Sequence, residues 1–160
     1  MLPRLRVLFL CTGNSCRSQM AEGWAGKLKN DRIEALSAGV SPHALDPRAV
    51  TVMAEAGVDI SSQTPTAVDA VLGEAFDFVV MVRSDAHENC PLFPGEASLV
   101  HRGFDDPPRL SATATSEDEA LQHYRRVRDE TCSFVEGLQE SLPARAPRPS
   151  AETARPEHQT

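Results

Sequence analysis

This 160-residue chain has no long hydrophobic run, no excess of positive charge, only four cysteines and no internal repeat. Each absence excludes something. No apolar stretch approaches the roughly 20 residues that a helix needs to cross a bilayer, so no membrane role is expected. The 16 lysines and arginines are outnumbered by 23 aspartates and glutamates, for a formal net charge of −7. That balance argues against nucleic acid and against anionic membrane surfaces as partners. Residues 1–6 run straight into a strand pattern without the form of a cleavable signal, so a cytoplasmic location is expected. Four cysteines in such a chain point to thiol chemistry rather than a disulfide framework. What is present is a 41% apolar chain of a length that suits one domain and one core. An acidic protein that binds an anion must do so with local donors, which directs attention to dedicated loops.

The periodicity predicts alternating strands and helices. Residues 6–10 read as a buried parallel strand, and 18–29 as a helix with Met20, Trp24 and Leu28 on one face. A second strand is expected at 33–37. Asp46 and Pro47 form an N-cap and N1 pair for a helix to 56, ended by Gly57. A short helix at 66–72, strands at 76–82 and 97–101, and a long helix over 116–142 follow; Glu117, Asp118 and Glu119 lie in the first turn of the last. The expected fold is α/β, a four-stranded parallel sheet flanked by helices. Residues 1–142 form the expected catalytic domain. Residues 143–160, rich in proline and arginine, read as a disordered tail with no core role.

The most informative stretch is Cys11-Thr12-Gly13-Asn14-Ser15-Cys16-Arg17-Ser18, directly after the apolar run Val7-Leu8-Phe9-Leu10. A lone cysteine is most often a small buried apolar residue. A C-x5-R octet joining a strand to a helix is a different matter, because chance rarely supplies that context as well. Cys11 is positioned to attack. The backbone N–H groups of Thr12, Gly13, Asn14, Ser15, Cys16 and Arg17 would converge on a tetrahedral oxyanion at a helix N-terminus. The Arg17 guanidinium would clamp two of its oxygens. Gly13 and Asn14 suit the positive φ angles of a curled loop. A free cysteine has a pKa of roughly 8.5, which helix N-termini and cations lower, so a thiolate is expected at position 11. Ser15 or Ser18 could hydrogen-bond it.

The octet and its continuation Gln19-Met20-Ala21-Glu22-Gly23 resemble the low-molecular-weight protein tyrosine phosphatases, and more narrowly the arsenate reductase branch that thioredoxin usually recycles. Ser37-Ala38-Gly39, Asn89-Cys90-Pro91, Gly103-Phe104-Asp105-Asp106-Pro107 and Tyr124-Arg125-Arg126-Val127-Arg128-Asp129-Glu130 extend the likeness over about residues 5 to 140. The resemblance implies Cys11 as nucleophile, Arg17 as oxyanion clamp and Asp106 as a general acid on a mobile loop. The phosphatases usually place tyrosines after the Asp-Pro pair to sandwich an aryl substrate. Here Pro108, Arg109 and Leu110 follow, so a phosphotyrosine would lose its stacking partner.

Arsenate and phosphate are both tetrahedral, so the loop alone does not separate them. Water ends a phosphocysteine; a second thiol can end an arseno-cysteine by attacking the Cys11 sulfur, expelling arsenite and leaving a disulfide. In the resembled reductases one relay cysteine lies just past the third strand and another some seven residues on. Here Arg83 occupies the first place and Cys90 the second. Three resolving thiols stay open: Cys90 directly, Cys16 within the loop, or an external small thiol of the glutathione or mycothiol type with a glutaredoxin-like partner. Cys132, beside Phe134 and Val135, reads as a core thiol. No bound cofactor is expected beyond a thiol reductant, thioredoxin included.

Some reductases of this branch hold potassium with residues matching Asn14, Glu22, Ser37, Thr64 and Thr66; threonine at 66 removes a carboxylate, so weak or absent potassium binding and no metal ligands are expected. The expected activity is arsenate reduction by a monomer that meets an oxyanion and a thiol-redox protein. The alternatives are a phosphatase acting on phosphate monoesters and a non-catalytic oxyanion binder.

Overall fold

The structure, a computed structural model, describes residues 5–11, 16–40, 42–71, 73–82 and 98–138. Four strands, β1 (Leu5–Cys11), β2 (Ile33–Gly39), β3 (Phe78–Met81) and β4 (Ser98–His101), form a wholly parallel sheet in the order β2-β1-β3-β4. The helices are α1 (Arg17–Leu28), α2 (Pro47–Glu55), α3 (Pro107–Ser111) and α4 (Glu117–Glu136). This is the α/β architecture that the alternation of strands and helices predicts.

The sheet is buried because β1 carries apolar side chains on both faces. Val7, Phe9 and Cys11 point to one side, where Met20, Trp24, Val52, Met53, Val127 and Val135 of α1, α2 and α4 complete the larger core. Leu8 and Leu10 point to the other, against Val68, Val71, Phe76 and Val79. Cys11 is therefore the last residue of a central strand and faces α1 and α4. The strand order reverses at β1, since β2 lies on one side of it and β3 on the other. Parallel sheets bind ligands at the carboxyl ends of strands flanking such a reversal.

Local chemistry explains the boundaries. Asp46 accepts from Arg48 N at 2.9 Å, so Asp46 and Pro47 start α2 as expected, and Gly57 follows it at φ +85°, a conformation that favours glycine. Ser116 accepts from Glu119 N and opens α4. Four expectations need adjustment. The segment expected as a helix over 66–72 forms only a 3-10 turn, Val68–Val71. Strand β3 begins at Phe78 rather than 76, because Asp77 is occupied with β1: its N–H donates to the Arg6 carbonyl and its carboxylate accepts from Arg6 N. Helix α4 gives way at Gly137, whose N–H bonds the Ser133 and Val135 carbonyls; residues 139–142 lie outside the described residues, as does the expected tail at 143–160. And α3 stands where only an Asp-Pro loop was expected.

Candidate active site

The site is assembled from β1, the start of α1 and the segment leading into α3. Cys11 is 6% exposed, and its Sγ lies 3.0 Å from Ser18 Oγ, which is wholly buried at the start of α1. The two groups meet because the strand ends at Cys11 and the helix begins at Arg17, which folds position 18 back over position 11. At the helix N-cap, the Cys16 side chain makes no cap hydrogen bond. Thr12, Gly13, Asn14 and Ser15, the middle of the expected oxyanion cradle, lie outside the described residues.

Arg17 is 5% exposed, an unusual degree of burial for a guanidinium. Its Nη1 donates to the Phe104 carbonyl at 3.2 Å, and its Nη2 lies 3.8 Å from Asp106 Oδ1. The arginine expected to clamp an oxyanion and the aspartate expected to act as acid are thus brought together across 89 positions of sequence (106 − 17). Asp106 is half-buried at the N-cap position of α3, with Pro107 at N1 and an extended backbone. Ser111 Oγ donates back to the Pro107 carbonyl at 2.8 Å and ties the short helix together.

Three supporting groups were not read from the sequence. Phe104 supplies the carbonyl that holds Arg17; its one signal is being the sole apolar side chain over 102–106. Gln63 Nε2 donates to both the carbonyl (3.0 Å) and Oε1 (2.8 Å) of buried Gln19, fixing the first turn of α1 from 44 residues away, and no local signal marks it. Tyr124 OH donates to Asp46 Oδ2 at 2.7 Å, tying α4 to the start of α2. Burial raises the Tyr124 phenol far above its ordinary value, and its bond to Asp46 adds to this, so it remains a donor.

The other cysteines fall into distinct settings. Cys16 is 3% exposed; burial pushes its thiol well above the ordinary range, and the Asp46 charge pushes the same way. It is a neutral thiol and so a poor attacker. Cys132 packs against the large core but is only half-buried, short of the core thiol expected; burial raises its thiol too. Cys90 and Arg83 lie outside the described residues. Of the positions matched to a potassium site, Glu22 accepts from Ser37 Oγ at 2.5 Å, and Thr66 Oγ1 donates to the Thr64 carbonyl at 3.3 Å. Among the described residues no group of three or more His, Cys, Asp or Glu could hold a metal ion.

A buried thiol ends a central parallel strand, and a buried guanidinium at the adjoining helix start faces a carboxylate, at the carboxyl edge where α/β sheets bind ligands. The chain belongs to the low molecular weight phosphotyrosine protein phosphatase family, which its residues 6–146 match. Its relatives include the arsenate reductase of Bacillus subtilis (strain 168), 47% identical over 124 residues, or 78% of this chain and 87% of the relative. A solved arsenate reductase in the phosphate-binding state superposes with a TM-score of 0.72 at 29% identity, covering 87% of this chain and 99% of that one. A thioredoxin-dependent arsenate reductase of Corynebacterium glutamicum shares the fold, with a TM-score of 0.60 at 24% identity over 88% of this chain and 64% of that one.

Proposed function

We propose that this protein reduces arsenate to arsenite through an adduct on Cys11. The observation that carries the reading is the convergence of Cys11, Ser18, Arg17 and Asp106 at one sheet edge, in a chain whose 47%-identical relative is an arsenate reductase.

In the first step the Cys11 thiolate attacks arsenic. Ser18 hydrogen-bonds the sulfur and holds its aim. Arg17, joined by the amides of Thr12, Gly13, Asn14, Ser15, Cys16 and Ser18, binds the remaining oxygens and neutralises charge as it builds. Asp106 gives its proton to the departing oxygen, which leaves as water. A new sulfur–arsenic bond has formed, and arsenic is still As(V). In the second step another thiolate attacks the Cys11 sulfur. The sulfur–arsenic bond breaks, its electron pair stays on arsenic, and arsenite departs as As(III). The two sulfurs are left as a disulfide, so the two electrons come from the two thiolates.

The raised Cys16 thiol argues against Cys16 as the second attacker. Cys90 or an external small thiol takes that part, and a thiol-redox protein of the thioredoxin or glutaredoxin kind then reduces the disulfide. The need for reduced thiols supports a cytoplasmic setting. Among the described residues no helix is long and apolar enough to cross a membrane.

The test is direct. Reduced protein is incubated with arsenate and glutathione, a mycothiol-type thiol or thioredoxin, and arsenite is measured. Arsenite should form and should vanish with Cys11→Ser. Mapping disulfides in the same samples should give a Cys11–Cys90 bond or a mixed disulfide on Cys11, with Cys16 still alkylated as a free thiol after unfolding. No arsenite with any donor would sink the proposal. Arginine at position 83 favours a second reading, a phosphatase, which predicts aryl phosphate turnover without reductant and no arsenate-dependent oxidation.

A further inference from the structure

The segment that carries Asp106 is fastened to α4 at the two residues before it. Phe104 is 2% exposed, and its ring meets that of Phe134 edge-on, with centroids 5.9 Å apart and planes at 70°. The Arg102 guanidinium lies over both rings, 4.3 Å from the Phe104 centroid and 5.8 Å from that of Phe134. One residue on, Asp105 Oδ2 accepts from Arg126 Nη2 at 2.8 Å, while Arg126 Nη1 donates to Glu130 Oε2 at 2.9 Å. Arg126 is held by its own helix with one nitrogen and grips the segment with another. Asp106 comes next, 3.8 Å from Arg17, and Pro107 restricts its backbone further.

The Asp105–Arg126 pair is exposed, with side-chain exposures of 57% and 44%. Ion pairs in such settings add little to overall stability, so stability is a poor account of it. Geometry is a better one. Adjacent Cα atoms are held about 3.8 Å apart, so fixing residue 105 narrows where residue 106 can stand. A general acid works only within hydrogen-bond reach of the leaving oxygen, and small displacements there are expensive in rate.

We propose that Arg126, acting through Asp105, is a positioning residue that sets Asp106 against the oxyanion on Cys11. Phe104 is the wedge of the same device: its ring is locked to α4 and its carbonyl to Arg17, so helix, clamp and acid share one frame. The proposal rests on the reading of Asp106 as the general acid.

The full-length chain tests it through two readouts: kcat/KM for arsenate-dependent arsenite production, and phosphate binding by calorimetry. Arg126→Met and Asp105→Asn should each lower kcat/KM about tenfold, a fraction of the roughly 10²–10⁴ that a positioned acid supplies. Phosphate affinity should hold, because neither residue belongs to the cradle. Arg126→Lys should recover part of the loss, and the Arg126→Met/Asp105→Asn double variant should be no worse than either single one. In an Asp106→Asn background, Arg126→Met should cost nothing more. Melting temperatures check that each variant is folded. Unchanged kcat/KM in both single variants would overturn the proposal. So would a loss that persists undiminished without Asp106, or one carried by weaker phosphate binding. If Asp106→Asn itself leaves kcat/KM unchanged, the acid assignment falls, and the positioning role falls with it.

Discussion

Ser18 Oγ stands 3.0 Å from Cys11 Sγ, and both side chains are buried. A hydrogen bond to a charged partner contributes about 1.5–3 kcal/mol, against about half that for a neutral pair. Ser18→Ala removes that hydroxyl and leaves the Arg17 side chain unchanged. The expected outcome is a roughly ten- to hundredfold slower iodoacetamide alkylation of Cys11 at neutral pH, about the rate equivalent of that energy, and a comparable fall in arsenite production. Alkylation at the wild-type rate would show that the hydroxyl does not serve the sulfur.

Tyr124 and Asp46 make a second testable pair. The phenol is buried, and its OH donates to Asp46 Oδ2, whose other oxygen caps α2. Tyr124→Phe leaves a carboxylate oxygen without its donor, at a cost of about 1–3 kcal/mol in urea unfolding. The pH dependence has a definite sign. Burial first, then the Asp46 bond, raises the folded-state pKa. The unfolded chain therefore ionises first, and this contribution to stability is full below the ordinary tyrosine value of about 10 and is lost as pH rises above it. The Phe variant should lack that alkaline component. Parallel stability curves for the two proteins between neutral and strongly alkaline pH would contradict the assignment.

Glu22 carries the opposite kind of burden. Burial raises its carboxyl, while the bond from Ser37 only partly opposes this. The folded protein holds the Glu22 proton more tightly than the unfolded chain, so stability falls as pH rises through the window above the ordinary glutamate value, about 4.3. Above the ordinary glutamate value the wild type bears the cost of keeping this group buried, either as a charge or as a retained proton. Glu22→Gln should therefore raise the melting temperature at pH 7, with the gain fading as the pH drops below that value. A variant less stable at pH 7 would show that the charge is compensated.

The same carboxylate bears on cations. Thr66 offers a hydroxyl, already donated to the Thr64 carbonyl, where the resembled reductases carry a carboxylate. Replacing sodium chloride with potassium chloride at constant ionic strength should leave melting temperature and kcat unchanged. A large activity gain in potassium would show that Glu22 and Ser37 suffice to hold the ion.

Much of this was legible locally. The apolar run over 7–10 followed by the octet implied a buried strand, a turn and a helix opening near Arg17, because each step depends on neighbours in sequence. Asp46, Pro47 and Gly57 marked α2 for the same reason. What escaped depends on distant partners. Helix α3 is five residues with two prolines in front, and it reads as a turn until the Ser111 back-bond is seen. The grip of Phe104 on Arg17, of Gln63 on Gln19 and of Arg126 on Asp105 joins segments 21 to 87 residues apart, and no periodicity encodes such pairs. Asp77 shortened β3 by turning its polar groups to Arg6, a choice made by register rather than by composition.

Position 83 offers the sharpest remaining experiment. The chemistry on Cys11 consumes two thiolates per arsenite, and an arginine contributes none. If Cys90 is the second half of a relay whose first half is missing, Arg83→Cys should restore it. The variant should then turn over arsenate with thioredoxin and thioredoxin reductase alone, oxidising one NADPH per arsenite. The parent chain should need a small thiol or run far more slowly. Disulfide mapping of the parent should then give a mixed disulfide between Cys11 and the small thiol. In the variant it should give a bond between Cys11 and the introduced thiol, followed by one between that thiol and Cys90. A parent chain already saturated by thioredoxin, and unchanged by the substitution, would show that Cys90 reaches Cys11 unaided and that Arg83 is no obstacle.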